Sequence, residues 1–243
     1  MDNFFTIEGW WNARREDSDN LARRLSEFFL RLAAIHPLFN DWTRSGMRHR
    51  SVVPRDFAAP GNHVELRQWL EENPRYTASD GRKTLAGYRL FADAATRADD
   101  PNVGFRLGLD AAESPGFLDG EAHLTIFYPP AVDRSKLRDI ARPMLLALAQ
   151  MWDATWAGVE ADDYCVTGGP PRPRPLPWYR GGQMIYLSAE KAKGLTLPPD
   201  VEAENLSDGS RLLTATNAPF DRRNALHREA AARIQVALDP LNR

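Results

Sequence analysis

Three acidic residues, Glu160, Asp162 and Asp163, sit almost side by side, and a run with five prolines in residues 170–177 follows them. Carboxylates this close can hold a divalent cation, or they can meet basic side chains on another protein. Their spacing is not that of an EF-hand loop. The proline run leads into Trp178-Tyr179, with Arg172, Arg174 and Arg180 nearby. Aromatics and arginine are the residue types that concentrate at interface hot spots. Glu160, Asp162 and Asp163 are therefore the candidate charged face for a partner, and Trp178 and Tyr179 the candidate aromatic anchors. The competing reading has Trp178 pinning this proline-rich stretch onto its own sheet, and the acids as an ordinary solvated surface.

Catalytic chemistry finds less support. The histidines are His36, His49, His63, His123 and His227, and no two stand at the spacing of metal ligands on a helix face. Cys165 is the only cysteine, and the acidic residues before it disfavour the thiolate a nucleophile needs. Glu121 and His123 could form an acid–base pair on a strand. The chain has no Gly-x-Ser-x-Gly elbow and no Gly-x-Gly-x-x-Gly opening a helix. Gly81-Arg82-Lys83-Thr84 is like the end of a phosphate loop, but it lacks the upstream glycine and reads as a turn. No catalytic residue, metal-ligand set or cofactor is assigned.

Charge and composition narrow the class. The chain has 243 residues, 43% of them hydrophobic and 26% charged, as in an ordinary globular protein. Its net charge of −2 argues against general nucleic-acid binding. Residues 101–168 hold 5 basic and 10 acidic side chains, whereas 169–243 hold 11 and 8. The middle of the chain thus supplies the acidic excess. A single cysteine fits a reducing compartment. Met1–Trp11 lacks the basic and apolar regions of a signal peptide. No stretch approaches the roughly 18 consecutive apolar residues of a membrane span. The expected location is the cytoplasm.

The elements that must position these residues follow from periodicity and punctuation. Asn3–Trp11 reads as a strand. Leu21, Leu25, Phe28, Phe29, Leu32 and Ile35 make one helical face over 20–35, capped by Ser18 or Asp19 and ended by His36-Pro37. A short helix capped by Asn62 carries Val64, Leu66, Trp69 and Leu70. Residues 85–94 fit strand or helix. Residues 103–109 and 122–128 alternate and predict a hairpin. Asp133 opens a long helix through Trp152, which Pro143 should kink or split. Strands are predicted at 154–159 and 183–188. A further hairpin spans 201–206 and 211–216 around Asp208-Gly209, and Asp221 caps a last helix. This order predicts an α+β fold, an antiparallel or mixed sheet with helices packed mainly on one side, with two related half-sheets as a variant of that arrangement. One domain over 1–243 is expected, with 1–150 and 151–243 as candidate sub-lobes.

Several blocks resemble a known family. Trp11-Asn12-Ala13-Arg14-Arg15-Glu16, Leu21-Ala22-Arg23-Arg24 and the stretch Leu30 to Trp42 are similar to the opening of the immunity protein 52 family. The similarity resumes at Met151-Trp152-Asp153-Ala154-Thr155-Trp156-Ala157. It continues through Tyr186-Leu187-Ser188, Leu197-Pro198-Pro199, Asp208-Gly209, Phe220-Asp221 and His227. It lies in the order of the blocks along nearly the whole chain, and about residues 60–120 match poorly. The family favours a tryptophan near the start of the Tyr186 strand, where this chain has Gln183.

The resemblance implies an α+β immunity protein of a bacterial polymorphic toxin system, in the setting of type VI secretion and bacterial competition. The implied partner is a cognate toxin encoded by the adjacent gene, typically of a restriction-endonuclease-like class. It implies no catalytic residue, and Trp11, Trp152, Trp156 and His227 read as structural. The expected function is neutralisation of that toxin by binding, with no nucleic-acid or membrane partner. Two alternatives stay open: a small metal-dependent hydrolase using Glu121–His123 or Asp162–Asp163, and a secretion-system adaptor or chaperone that holds a toxin without inhibiting it.

Overall fold

The computed structural model describes residues 4–12, 14, 16–36, 39, 43–44, 63–79, 82–95, 104–112, 120–127, 134–159, 179–199, 201–218, 220–221 and 223–242. The chain divides into two compact units. One comprises Met1–Phe4 and Asn12–Val132, the other Phe5–Trp11 and Asp133–Arg243. The division falls at 132/133, where the sequence suggested 150/151. The reason is the helix Arg134–Met151, which packs on strands of the second unit.

In the first unit, helix α1 (Ser18–Ile35) begins at Asp17, one residue before the caps the sequence offered. The Asp17 carboxylate accepts the Asn20 N–H at 2.8 Å. Leu21, Leu25, Phe28, Phe29 and Leu32 are buried, as their spacing predicts. His36 is extended (φ −153°) and ends the helix before Pro37. Glu16 bridges Arg14 and Arg24 at 3.2 and 3.0 Å. Helix α2 (His63–Glu71) lays Leu66, Trp69 and Leu70 inward and packs on α1. The Asn62 cap lies outside the described residues.

The sheet of this unit is antiparallel. Strand β4 (Arg82–Ala95) pairs along one side with β2 (Thr43–Arg44) and β3 (Pro74–Ser79), and on the other with β5 (Gly104–Ala112). Strand β5 pairs in turn with β6 (Gly120–Phe127). The helix-or-strand ambiguity at 85–94 is settled by pairing on both sides of β4. Strand β3 was not among the expected elements; it opens on Pro74, and a first strand position tolerates proline. Where β3 and β4 slip register, β4 carries an extra residue, and Gly87 there takes φ +155°, open to glycine.

The second unit has a five-stranded antiparallel sheet in the order β1 (Phe4–Trp11), β7 (Trp156–Val159), β8 (Met184–Leu187), β10 (Arg211–Thr214), β9 (Glu202–Asn205). Helix α3 (Arg134–Met151) runs as one element through Pro143. It ends where Asp153 adopts φ +48° and Ala154 N–H returns to Ala149 O at 2.8 Å, a left-handed cap. Helix α4 (Ala189–Ala192) is a single turn capped by Ser188. Helix α5 (Ala225–Leu238) is capped by Asn224, whose Oδ1 accepts Leu226 N–H at 3.0 Å, and not by Asp221. Asp221 instead accepts Arg223 N–H through its carboxylate and donates its own N–H to His227 Nδ1.

Register assigns the two faces of this sheet. Trp10, Trp156 and Leu187 share a row, and with Ile185 and Leu213 they form one core with Ile234 and Leu238 of α5. Gly9 and Ala157 lie in the alternate row, against Leu148 of α3. Helices therefore cover both faces of this sheet, where the sequence suggested mainly one side. Neighbouring tryptophans serve opposite layers. Trp10 stacks on Trp156 with centroids 4.4 Å apart, and Trp11 on Trp152 at 5.1 Å. The architecture is α+β. No helix among the described residues is long and apolar enough to cross a membrane.

Candidate protein-binding site

The connection from β7 to β8, residues 160–183, joins two neighbouring antiparallel strands. Its ends stand together: Gln183 N–H donates to Val159 O at 3.0 Å. Of the expected site residues, Glu160, Asp162, Asp163 and Trp178 all fall within it and lie outside the described residues.

Tyr179 is described, and its position corrects the reading of it as an aromatic anchor for a partner. It is only 5% exposed and belongs to the core with Trp10, Trp156, Ile185 and Ile234. The reason is local. The Tyr179 N–H donates to Asn242 Oδ1 at 2.7 Å, and its carbonyl accepts from Asn242 Nδ2 at 2.9 Å and Gln235 Nε2 at 3.2 Å. Both backbone groups are thereby satisfied by side chains, which a buried, irregular segment requires. Lys191 Nζ lies 5.8 Å from the Tyr179 ring. Burial lowers the ammonium's pKa, but Tyr179 and Glu190 outweigh it and hold the pKa above its ordinary value.

The next two residues are fixed as firmly. Gly181 donates its N–H to Gln235 Oε1 at 2.8 Å. A β-carbon on it would stand 2.4 Å from Ala231 O and 2.9 Å from Gln235 N, so only glycine lets the chain lie this close to α5. Arg180 pairs with Glu8 of β1, and the two side chains are 20% and 9% exposed. Its guanidinium lies 4.8 Å over the Trp10 ring and 5.7 Å from that of Trp156. Trp156 Nε1–H donates to Arg180 O at 3.3 Å. Gln183 is buried and donates to Ala218 O through Nε2 at 3.3 Å, and its backbone carbonyl accepts from Ala215 N–H at 2.9 Å.

Glu8, Gln235 and Asn242 were not singled out in the sequence. Glu8 carried a faint signal, a charge between buried positions of a strand. The two amides carried none, because their partners are far away in the chain. Of the alternative acid–base pair, Glu121 stands opposite Asp110 and His123 opposite Gly108 in the β5–β6 register. Among the described residues no group of three or more His, Cys, Asp or Glu could hold a metal ion.

A second polar cluster lies across the sheet. Tyr186 shares a hydrogen bond with Ser210, whose hydroxyl and N–H both donate to Asp208. Burial pushes the Tyr186 phenol up, and the Ser210 bonds hold the Asp208 carboxyl below its ordinary value. This cluster closes the β9–β10 turn, where Gly209 takes φ +84°.

No family model matches the chain. No curated protein matches it. Among solved structures it is similar to a Pseudomonas aeruginosa T6SS protein, at 11% identity and a TM-score of 0.48, over 96% of this chain and 72% of the other.

The residues of the resembling blocks have structural roles. Glu16 ties Arg14 to Arg24, Trp11 stacks on Trp152, Trp156 sits in the core, and His227 packs 5.7 Å from Phe220.

Proposed function

We propose that this protein is an immunity protein of the kind its sequence blocks resemble. It would bind and neutralise a cognate toxin, a nuclease of restriction-endonuclease-like type, in the cytoplasm of the producing cell. It acts by binding, with no catalytic step and no cofactor. The observation that carries this reading is the β7–β8 connection. In the sequence the acidic trio and Trp178 fall between Val159 and Gln183, two strand ends joined by the Gln183 N–H to Val159 O bond. Binding segments mounted on rigid scaffolds are how proteins commonly present recognition surfaces.

The chemistry of the partner follows from the charge. A nuclease must present a basic groove to the phosphate backbone. Glu160, Asp162 and Asp163 would meet that groove, speeding encounter and selecting the partner by complementary potential. Co-expression with the toxin-like protein encoded by the adjacent gene tests this reading. Cell survival together with a co-purifying complex supports it. Survival lost and no complex formed would overturn it, and a complex that stays toxic would mark an adaptor instead.

A further inference from the structure

Strand β9 ends the sheet of the second unit. It pairs with β10 on one side, and among the described residues no element pairs with it on the other. Glu202, Ala203, Glu204 and Asn205 are all exposed. The ladder fixes which of their backbone groups face out. Leu206 N–H donates to Ser210 O at 2.8 Å, and Ala215 N–H to Gln183 O at 2.9 Å. Antiparallel bonding alternates along a strand. Strand β10 therefore turns Arg211, Leu213 and Ala215 toward β8, and Leu212 and Thr214 toward β9. Glu204 and Glu202, opposite Leu212 and Thr214, bond inward. Ala203 and Asn205 aim their N–H and C=O groups out from the edge.

Native sheets commonly close such an edge with proline, lysine, a bulge or a covering element. Strand β9 has no proline or lysine, and its register with β10 is unbroken. What it carries is acid. Glu204 lies in the row of Gly9, Ala157, Tyr186 and Leu212, on the face that α3 covers. Arg142 Nη2 of α3 donates to both its carboxylate oxygens at 2.8 and 2.9 Å, and the Glu204 side chain is still 52% exposed. Glu202, on the same face, accepts from Asn217 Nδ2 at 3.0 Å. The two carboxylates decide against a second copy of this chain. With Ala203 opposite its symmetry mate, Glu202 would face Glu204. With Glu204 at the centre, it would face itself. Like charges directly opposite destabilise a strand pair, and opposite charges stabilise it.

We propose that β9 is a docking edge for an extended segment of the toxin, which adds as the next strand of the sheet. That segment carries basic side chains two residues apart, opposite Glu202 and Glu204. Main-chain bonds to Ala203 and Asn205 supply affinity, and the charge pairs fix register and partner. The inference rests on the reading of this protein as a toxin-binding immunity protein, and it is independent of residues 160–178.

The test uses the full chain, with the protein encoded by the adjacent gene as probe. In free wild type, amide exchange should be fast at Ala203 and Asn205 and slower at Glu202 and Glu204. The complex should slow Ala203 and Asn205 at least about tenfold, as new main-chain bonds require. Contact through side chains alone does not produce that alternation. Ala203→Pro removes one outward N–H and leaves the bonds to β10 in place. Its thermal midpoint should stay near that of wild type, while affinity falls at least about tenfold. E202K/E204K should also weaken binding, most at low salt.

A complex in which neither amide slows would overturn edge docking and leave the immunity reading standing. So would an Ala203→Pro chain that folds and binds like wild type. Protection of both amides that grows with the concentration of the free protein would assign the edge to a second copy, against the proposal. If wild type forms no complex, the immunity reading fails and takes the inference with it.

Discussion

Leu148 of α3 lies so close over Gly9 of β1 that a β-carbon on residue 9 would stand 2.2 Å from Leu148 Cδ2. The same added carbon would approach Ala157 Cβ to 3.3 Å. The absence of a side chain at one strand position thus sets how near the helix layer approaches the sheet. Gly9→Ala should destabilise the protein by about 1–3 kcal/mol, the usual cost of overpacking a filled core. Urea unfolding checks this: the midpoint should fall with the slope unchanged. A midpoint equal to wild type would mean that Leu148 moves aside at no cost.

The Arg180–Glu8 pair makes a sharper case. Both side chains are mostly buried, and Arg180 also faces the Trp10 ring. Removing one partner of such a pair strands the other charge, at about 3–5 kcal/mol. Glu8→Ala and Arg180→Ala should each be strongly destabilising, and the double variant should cost clearly less than the sum of the two. A double-mutant cycle by chemical denaturation measures this coupling. Additive effects would mean that the two side chains contribute only their separate packing.

Much of this framework was legible in the sequence, for identifiable reasons. The stripe Leu21–Leu25–Phe28–Phe29–Leu32 announces α1 because one apolar face must be buried, and the alternation of the sequence announces β5 and β6 as strands. Caps were less legible. Asp17 and Asn224 hold the helix starts where Ser18, Asp19 and Asp221 looked as suitable, since cap choice depends on which side chain points back at the first N–H groups. Tyr179 looked like interface and proved to be core, because its burial depends on amides from residues 235 and 242. The bond from the Gln183 side chain to Ala218 O was equally invisible. Contacts between residues distant in sequence leave no periodic trace.

Asp208 gives a pH prediction with a definite sign. Hydrogen bonds from Ser210 lower its pKa from the ordinary 3.8. A carboxyl with a lowered folded pKa contributes stability that is present above the unfolded value and lost as pH falls through the folded one. The stability difference between wild type and Asp208→Asn should therefore be constant at neutral pH and shrink only below about pH 4. Urea midpoints measured from pH 7 down to pH 3 check it. A difference that persists unchanged at the acid end would assign the Asp208 effect to turn geometry alone.

The acidic segment yields the prediction that bears most on function. Reversing Glu160, Asp162 and Asp163 together to lysine places like charges against a basic nuclease groove. Rim charges act chiefly on the association rate, and paired charges that become desolvated act on dissociation as well. Affinity for the toxin should drop at least about tenfold, equivalent to roughly 1.4 kcal/mol. The loss should be greatest at low salt and shrink as the Debye length falls from about 10 Å at 0.1 M to about 3 Å at 1 M. Stopped-flow association with the adjacent-gene protein at several ionic strengths measures both effects. Because the β7–β8 ends are held by Val159, Tyr179 and Gly181, the thermal midpoint of the free variant should match wild type. Binding that is unchanged and insensitive to salt would move the interface off this segment and leave its acids as solvated surface.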